Sequence, residues 1–145
     1  MAADAPDRSR FRFWARDTVR FGDTDRQGHV NNAVYATFSE TGRVAFLYDP
    51  ADPLGPPGTE FVIARMVIDF RAEAGWPGDV DIGTAVVSVG RSSFRLEQGI
   101  WQGDKLVATT ENVIVLMDSA TRRSTPLPDA ARARLEAAMP AAEEG

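Results

Sequence analysis

Between Phe21 and Tyr35 the chain reads Phe-Gly-Asp-Thr-Asp-Arg-Gln-Gly-His-Val-Asn-Asn-Ala-Val-Tyr. This stretch gathers two carboxylates (Asp23, Asp25), Gly28, the only histidine (His29) and two asparagines (Asn31, Asn32). It lies where an alternating segment gives way to one of helical period. A strand-to-helix junction exposes backbone N–H groups that have no partner inside the helix, so it can receive an oxygen that carries or is gaining negative charge. A carboxylate beside such donors can act on an electrophilic carbonyl as base or nucleophile. These residue types in this order point to acyl-group chemistry.

The plainer reading is structural. Asp-rich segments with glycine form turns, asparagine at a helix start is an ordinary cap, and a lone histidine can be a surface or satisfied core residue. The order of the residues shifts the balance. Asp-x-Asp-x-x-Gly-His-Val-Asn-Asn-x-x-Tyr, from Asp23 to Tyr35, resembles the hot-dog-fold acyl-CoA thioesterases of the 4-hydroxybenzoyl-CoA thioesterase type, in the branch that reads Gly-His-Val-Asn-Asn. The resemblance implies that an acidic residue just before the helix performs or assists attack on a thioester, and Asp25 holds that position. It places a helix-start backbone N–H, from Asn32 or its neighbour Asn31, on the thioester oxygen. Gly28 then lets the backbone approach the bound carbonyl. His29 and the asparagine side chains either orient water or the carboxylate, or cap the helix. Asn31 and Tyr35 count among the substrate-binding positions. Asp23 matches a position that holds the loop. Glu40 is the alternative acid, because some relatives use a helix glutamate; its ordinary role is a surface ion pair with Arg43 or Arg65.

The length, 145 residues, suits one domain with a real core. A net charge of −5 argues against general nucleic-acid binding, which needs a basic surface. The absence of cysteine excludes disulfides, thiolate metal sites and a cysteine nucleophile, and a single histidine argues against a multi-histidine metal site. Residues 1–10 lack an apolar run and read as a disordered tail rather than a secretory signal. No stretch approaches the roughly 18 apolar residues of a membrane span. The expectation is a cytoplasmic protein needing no cofactor, with one domain over residues 11–140.

Periodicity supplies the elements that must position the motif. Residues 11–21 alternate as a half-buried strand, with Trp14 the exception. From Val30 the period becomes helical, with a stripe of Val34, Phe38, Ala45 and Tyr48 flanked by Ala33 and Val44, ending near Tyr48 at Asp49-Pro50. A proline-rich loop covers 50–59. Residues 61–70 carry an all-apolar even-numbered face, which suits a central strand. Strands over 80–89, 93–101 and 105–117 follow, the last two joined by a Gly103-Asp104 hairpin. A short helix from Asp129 to about Met139 ends the domain. Strand, long helix, then four hairpin-connected strands gives an α+β fold in which a curled antiparallel sheet wraps one helix. The family resemblance implies the same hot-dog architecture.

Coenzyme A carries phosphates that seek arginine or lysine. The Gly90-Arg91-Ser92-Ser93 turn offers a guanidinium and two hydroxyls, and Arg122 and Arg123 could assist, although all of these also read as solvated surface. Ala36 and Thr37 are small and leave room for an acyl group. An exposed sheet edge, together with the resemblance, implies a homodimer or a homotetramer built from dimers. The alternative function is a non-catalytic binder of acyl-CoA or acyl-carrier thioesters. A hot-dog hydratase would need an Asp and His pair at the other end of the helix, which the sequence does not offer.

Overall fold

The computed structural model describes residues 5–140. Five strands form one antiparallel sheet: β1 (Phe13–Thr18), β2 (Thr59–Phe70), β3 (Asp79–Val89), β4 (Ser93–Gln102) and β5 (Lys105–Asp118). Helix α1 (Val34–Leu47) joins β1 to β2, and α2 (Asp129–Ala137) follows β5. The spatial order is β1-β3-β4-β5-β2. Tight turns make β3, β4 and β5 neighbours, and at the β4–β5 turn Gly103 takes a φ of +62°. The long α1 crossover instead carries the chain from one edge of the sheet to the other.

The expectation of a central position for 61–70 is therefore corrected. Strand β2 pairs only with β5 and forms an edge, with Ile63 and Phe70 about half exposed.

The expectation of a disordered tail over 1–10 does not hold for Arg8–Arg10. Residues 1–4 lie outside the described residues, but Arg8–Arg10 form a 3₁₀ turn. Arg8 lies over the Trp14 ring at 4.6 Å and pairs with Asp81, and Arg10 pairs with Glu97 at 2.7 Å. Cation–π and ion-pair contacts hold this polar segment without an apolar run. Strand β1 is also shorter than its alternation suggests. Val19 and Phe11 are buried beyond its ends, whereas Phe21 opens a 3₁₀ turn and is 72% exposed.

Helix α1 starts four residues later than the period change, because Val30 pairs with Thr24 in an isolated bridge and 31–33 form the entry turn. Its buried face is also rotated from the predicted stripe. Tyr35, Phe38, Ser39, Gly42, Arg43, Phe46 and Leu47 are buried, whereas Val44, Ala45 and Tyr48 are exposed. Three of the inward positions are polar or lack a side chain, so hydrophobicity alone misplaces the face. Gly42 is needed for closeness: a Cβ there would stand 2.5 Å from Ile82 Cγ2. Ser39 reaches a buried polar network across the sheet. Ser39 Oγ and Thr110 Oγ1 both donate to Gln98 Oε1, while Gln98 Nε2 donates to the Ser39 carbonyl (3.0 Å) and Thr84 Oγ1 (3.2 Å). Hydrogen bonding offsets the cost of burying these groups.

Two apolar clusters flank the network. Tyr35 and Phe38 pack with Val30, Ile82, Ile100 and Val107 at the start of α1. Phe46 and Leu47 pack with Phe94, Leu96, Leu116 and Leu135 of α2 at its end. Burial of a side chain such as Phe38 contributes about 2–3 kcal/mol. Helix α1 is thereby pinned over β1 and β3, with a pocket of about 270 Å³ on its β2 side.

Candidate active site

The motif folds into a tight loop that leads into α1. Thr24 pairs with Val30, the Asp25 N–H donates to the His29 carbonyl (2.9 Å), and the Gly28 N–H donates to the Asp25 carbonyl (3.0 Å). Gly28 has a φ of +81°, which strains any residue with a Cβ, although the space beside it is open. The turn thus requires glycine for its backbone angle.

Asp25 is exposed on this loop. Its Oδ1 accepts the N–H of Gln27 at 2.8 Å and of His29 at 3.3 Å, which fixes the carboxylate relative to the helix start. Asp23 is nearly buried and ties the loop from below. Its Oδ2 accepts the Arg20 N–H (2.8 Å), and its carbonyl accepts the Asn31 N–H (2.8 Å).

The two asparagines divide the work of the helix entrance. Asn31 Oδ1 accepts the Ala33 N–H at 3.0 Å and its carbonyl accepts the Val34 N–H at 2.9 Å, an Asx turn that leads into the helix. Asn32 uses its carbonyl for the Tyr35 N–H at 3.3 Å, while its own N–H has no acceptor among the described residues. An exposed, unpaired amide at the positive end of a 14-residue helix can receive an oxyanion.

His29 points elsewhere. Its Nε2 lies 3.1 Å from Glu73 Oε2, and its backbone bridges to Gly75. The Val30 N–H donates to the Ala74 carbonyl at 2.9 Å. Residues 73–75 therefore form a second wall, which no spacing in the sequence connected to the motif. Tyr35 is 3% exposed and stands edge-on to Phe70 at 5.3 Å. Burial pushes its hydroxyl pKa up, a backbone hydrogen bond at Ala74 pulls the other way, and the charge of Glu73 adds to the rise. Its side chain locks α1 to the end of β2.

Asp25, Gly28, Asn31 and Asn32 thus share the loop that enters α1, whereas the His29 side chain turns to Glu73, that of Tyr35 turns into the core, and Arg91, Ser92 and Ser93 lie apart. These three lie in and just after the turn that follows Val89, whereas the motif neighbours the opposite end of β3, where Val19 bonds to Gly78. Ten residue steps of strand separate the two ends, about 33 Å when extended. Helix α2 and the segment before it brace the turn: the Leu127 N–H donates to the Arg91 carbonyl and Arg132 Nη2, from α2, donates to that of Gly90. Glu40 is exposed on α1, 4.0 Å from Arg43 Nη2. A cavity of about 680 Å³ is lined by Asp7, Arg10, Asp69, Arg71 and Glu111, among others. The Glu111 side chain alternates with Thr110 and Asn112 and so faces away from α1.

Comparison with known proteins identifies the fold and the family. The model of the thioesterase-like superfamily matches residues 19–135. A Thermus thermophilus thioesterase, solved with coenzyme A and Zn, is 33% identical, with a TM-score of 0.77 over 88% of this chain and 94% of that one. A thioesterase-superfamily structure from a Jannaschia species is 30% identical, with a TM-score of 0.76 over 86% and 81%. A DHNA-CoA thioesterase from Staphylococcus aureus, 18% identical with a TM-score of 0.76 over 86% and 91%, shares the fold. No curated protein matches the chain. The architecture is that of the hot-dog thioesterases. The chain belongs to the thioesterase-like superfamily, and thioester hydrolysis is the activity class this membership supports. Among the described residues no three His, Asp or Glu side chains converge as metal ligands, and no helix is long and apolar enough to cross a membrane.

Proposed function

We propose that the chain hydrolyses an acyl-CoA or acyl-carrier thioester to the free acid and the thiol. One observation carries this reading: an exposed Asp25 carboxylate, held by the Gln27 and His29 amides, shares its loop with the unpaired N–H of Asn32. As general base, Asp25 removes a proton from water while the water oxygen bonds to the thioester carbon. The carbonyl oxygen becomes an oxyanion facing the Asn32 N–H. Collapse breaks the C–S bond, and the thiolate takes the proton back from Asp25. As nucleophile, Asp25 displaces the thiolate to give a mixed anhydride, which water opens. In both routes the amide bonds the developing charge more strongly than the ground-state carbonyl, which lowers the barrier.

The working unit in this proposal is at least a dimer. The free edge of β2 runs from Thr59, near the Arg91 end, to Phe70, beside Tyr35. A second copy pairing antiparallel along β2 would bring the partner subunit's Arg91 turn to the end where Asp25 sits. Arg91, Ser92 and Ser93 could then receive the phosphates of a CoA that spans the two copies. A cytoplasmic setting is part of this proposal.

The Asp25 Oδ1 contacts are also those of a purely structural turn, which favours the second reading, a thioester-binding module without turnover. Thiol release from a panel of acyl-CoAs separates the two. Hydrolysis by the native chain that is lost in Asp25→Asn supports the enzyme, whereas binding without thiol release supports the module.

A further inference from the structure

The wall of residues 73–75 beside the motif loop is tied to the sheet at two places. Val107 drops out of register with β4, because Ile100 pairs with Ala108 and Trp101 with Leu106. Its carbonyl instead accepts the N–H groups of Arg71 (2.9 Å) and Ala72 (3.2 Å), where the chain leaves β2. The second tie is the Gln102 side chain, half-buried at the last position of β4. Its Oε1 accepts the Gly75 N–H at 2.9 Å, and its Nε2 donates to the Gly75 carbonyl at 2.8 Å. A carboxamide supplies both the acceptor and the donor that one residue's backbone needs, as a neighbouring strand would. Gly78 leaves room for it, since a Cβ there would stand 3.0 Å from Gln102 Nε2.

Gly75 is also the residue that bridges to His29, and the Ala74 carbonyl accepts the Val30 N–H at 2.9 Å. The His29 N–H in turn donates to Asp25 Oδ1 at 3.3 Å, and the His29 carbonyl accepts the Asp25 N–H at 2.9 Å. A continuous path of contacts therefore runs from the end of β4 through Gly75 and His29 to the Asp25 carboxylate. We infer that Gln102 is a positioning residue for the proposed hydrolysis: it fixes the wall at Gly75, and the wall fixes the turn at His29 that aims Asp25. The inference rests on the thioesterase reading and adds to it a residue that no local pattern ties to the motif. Its effect falls on the reacting geometry, where a shift of about 1 Å can cost about 10²-fold in rate.

Gln102→Met keeps the side-chain length and removes the donor and the acceptor. Its kcat should fall by about 10- to 100-fold, with KM within about threefold of the native value. In an Asp25→Asn background the same substitution should change the residual kcat by less than about twofold, because the group it aims is already gone. Amide hydrogen exchange reads the clamp without turnover. The His29 and Val30 amides should exchange about tenfold faster or more in Gln102→Met, while that of Leu116, bonded to the Ser92 carbonyl, stays unchanged. Gln102→Glu keeps the acceptor but sets an oxygen against the Gly75 carbonyl; it should show the same pattern and replaces the methionine variant if that one does not fold. Native kcat in the folded variant overturns the inference, as does an equal loss in both backgrounds or unchanged exchange at His29 and Val30. If the native chain cleaves no thioester, the thioesterase reading falls separately, and exchange alone decides whether Gln102 holds the Asp25 loop.

Discussion

Asp25 and His29 hold each other across one loop: the His29 N–H donates to Asp25 Oδ1 at 3.3 Å, and the Asp25 N–H donates to the His29 carbonyl at 2.9 Å. The first bond needs an acceptor oxygen and not a charge. Asp25→Asn therefore keeps the loop while removing basicity and nucleophilicity. We expect the melting temperature to stay within a few degrees and kcat to fall by about 10²–10⁴. Asp25→Ala should also lose about 1 kcal/mol of stability. Native kcat in Asp25→Asn beside an inactive Glu40→Gln would move the catalytic acid to the helix.

In the proposed mechanism the oxyanion role of Asn32 belongs to its backbone. Asn32→Ala should keep most activity, whereas an ester in place of that amide should slow kcat by on the order of 10²-fold or more. A severe side-chain defect with a harmless ester would assign the work to the carboxamide.

Arg91→Ala should raise KM for acyl-CoA more than it lowers kcat, because a phosphate contact acts equally on ground and transition states. A short acyl-cysteamine thioester lacking the nucleotide should be little affected. Light scattering should give a dimer or larger; a fully active monomer at micromolar concentration would remove the partner subunit's Arg91 from the site.

Gly42→Ala should destabilise the fold, although alanine is the better helix former by about 1 kcal/mol. The new methyl meets Ile82 at 2.5 Å and Gln98 at 3.1 Å, an overpacking cost of about 1–3 kcal/mol. Chemical denaturation would show the sign; a stabilised variant would mean that α1 can lift without loss.

Asp81 sets an acid-side dependence on stability. Partial desolvation pushes its pKa up, but hydrogen bonds and charge from Arg16 and Arg8 prevail and hold it below the usual carboxylate range. A depressed native pKa contributes stability above the unfolded value, roughly 3.9, and loses it as pH falls through the native value. Asp81→Asn should thus cost about 0.5–1 kcal/mol at pH 7. The difference from the native chain should vanish in strong acid, which pH-dependent urea melts would show.

The sequence by itself determined the elements and the motif. Alternation and turn residues place β3, β4 and β5 within a residue or two, because each strand's pattern and its hairpin are local properties. The run from Asp23 to Tyr35 is contiguous, so its loop and the Asn31 turn follow from neighbours in the chain. Tertiary structure alone decided which face of α1 is inside, because Ser39 and Arg43 read as solvent residues until Gln98 comes across from the sheet to meet Ser39. It decided that β2 is an edge, since an apolar strand looks the same whether a neighbouring strand or a second copy covers it. It also set Glu73 against His29, and it parted Arg91 from Asp25 by the length of a strand. Such relations depend on which ends of the strands the crossover brings together, and no local pattern encodes that.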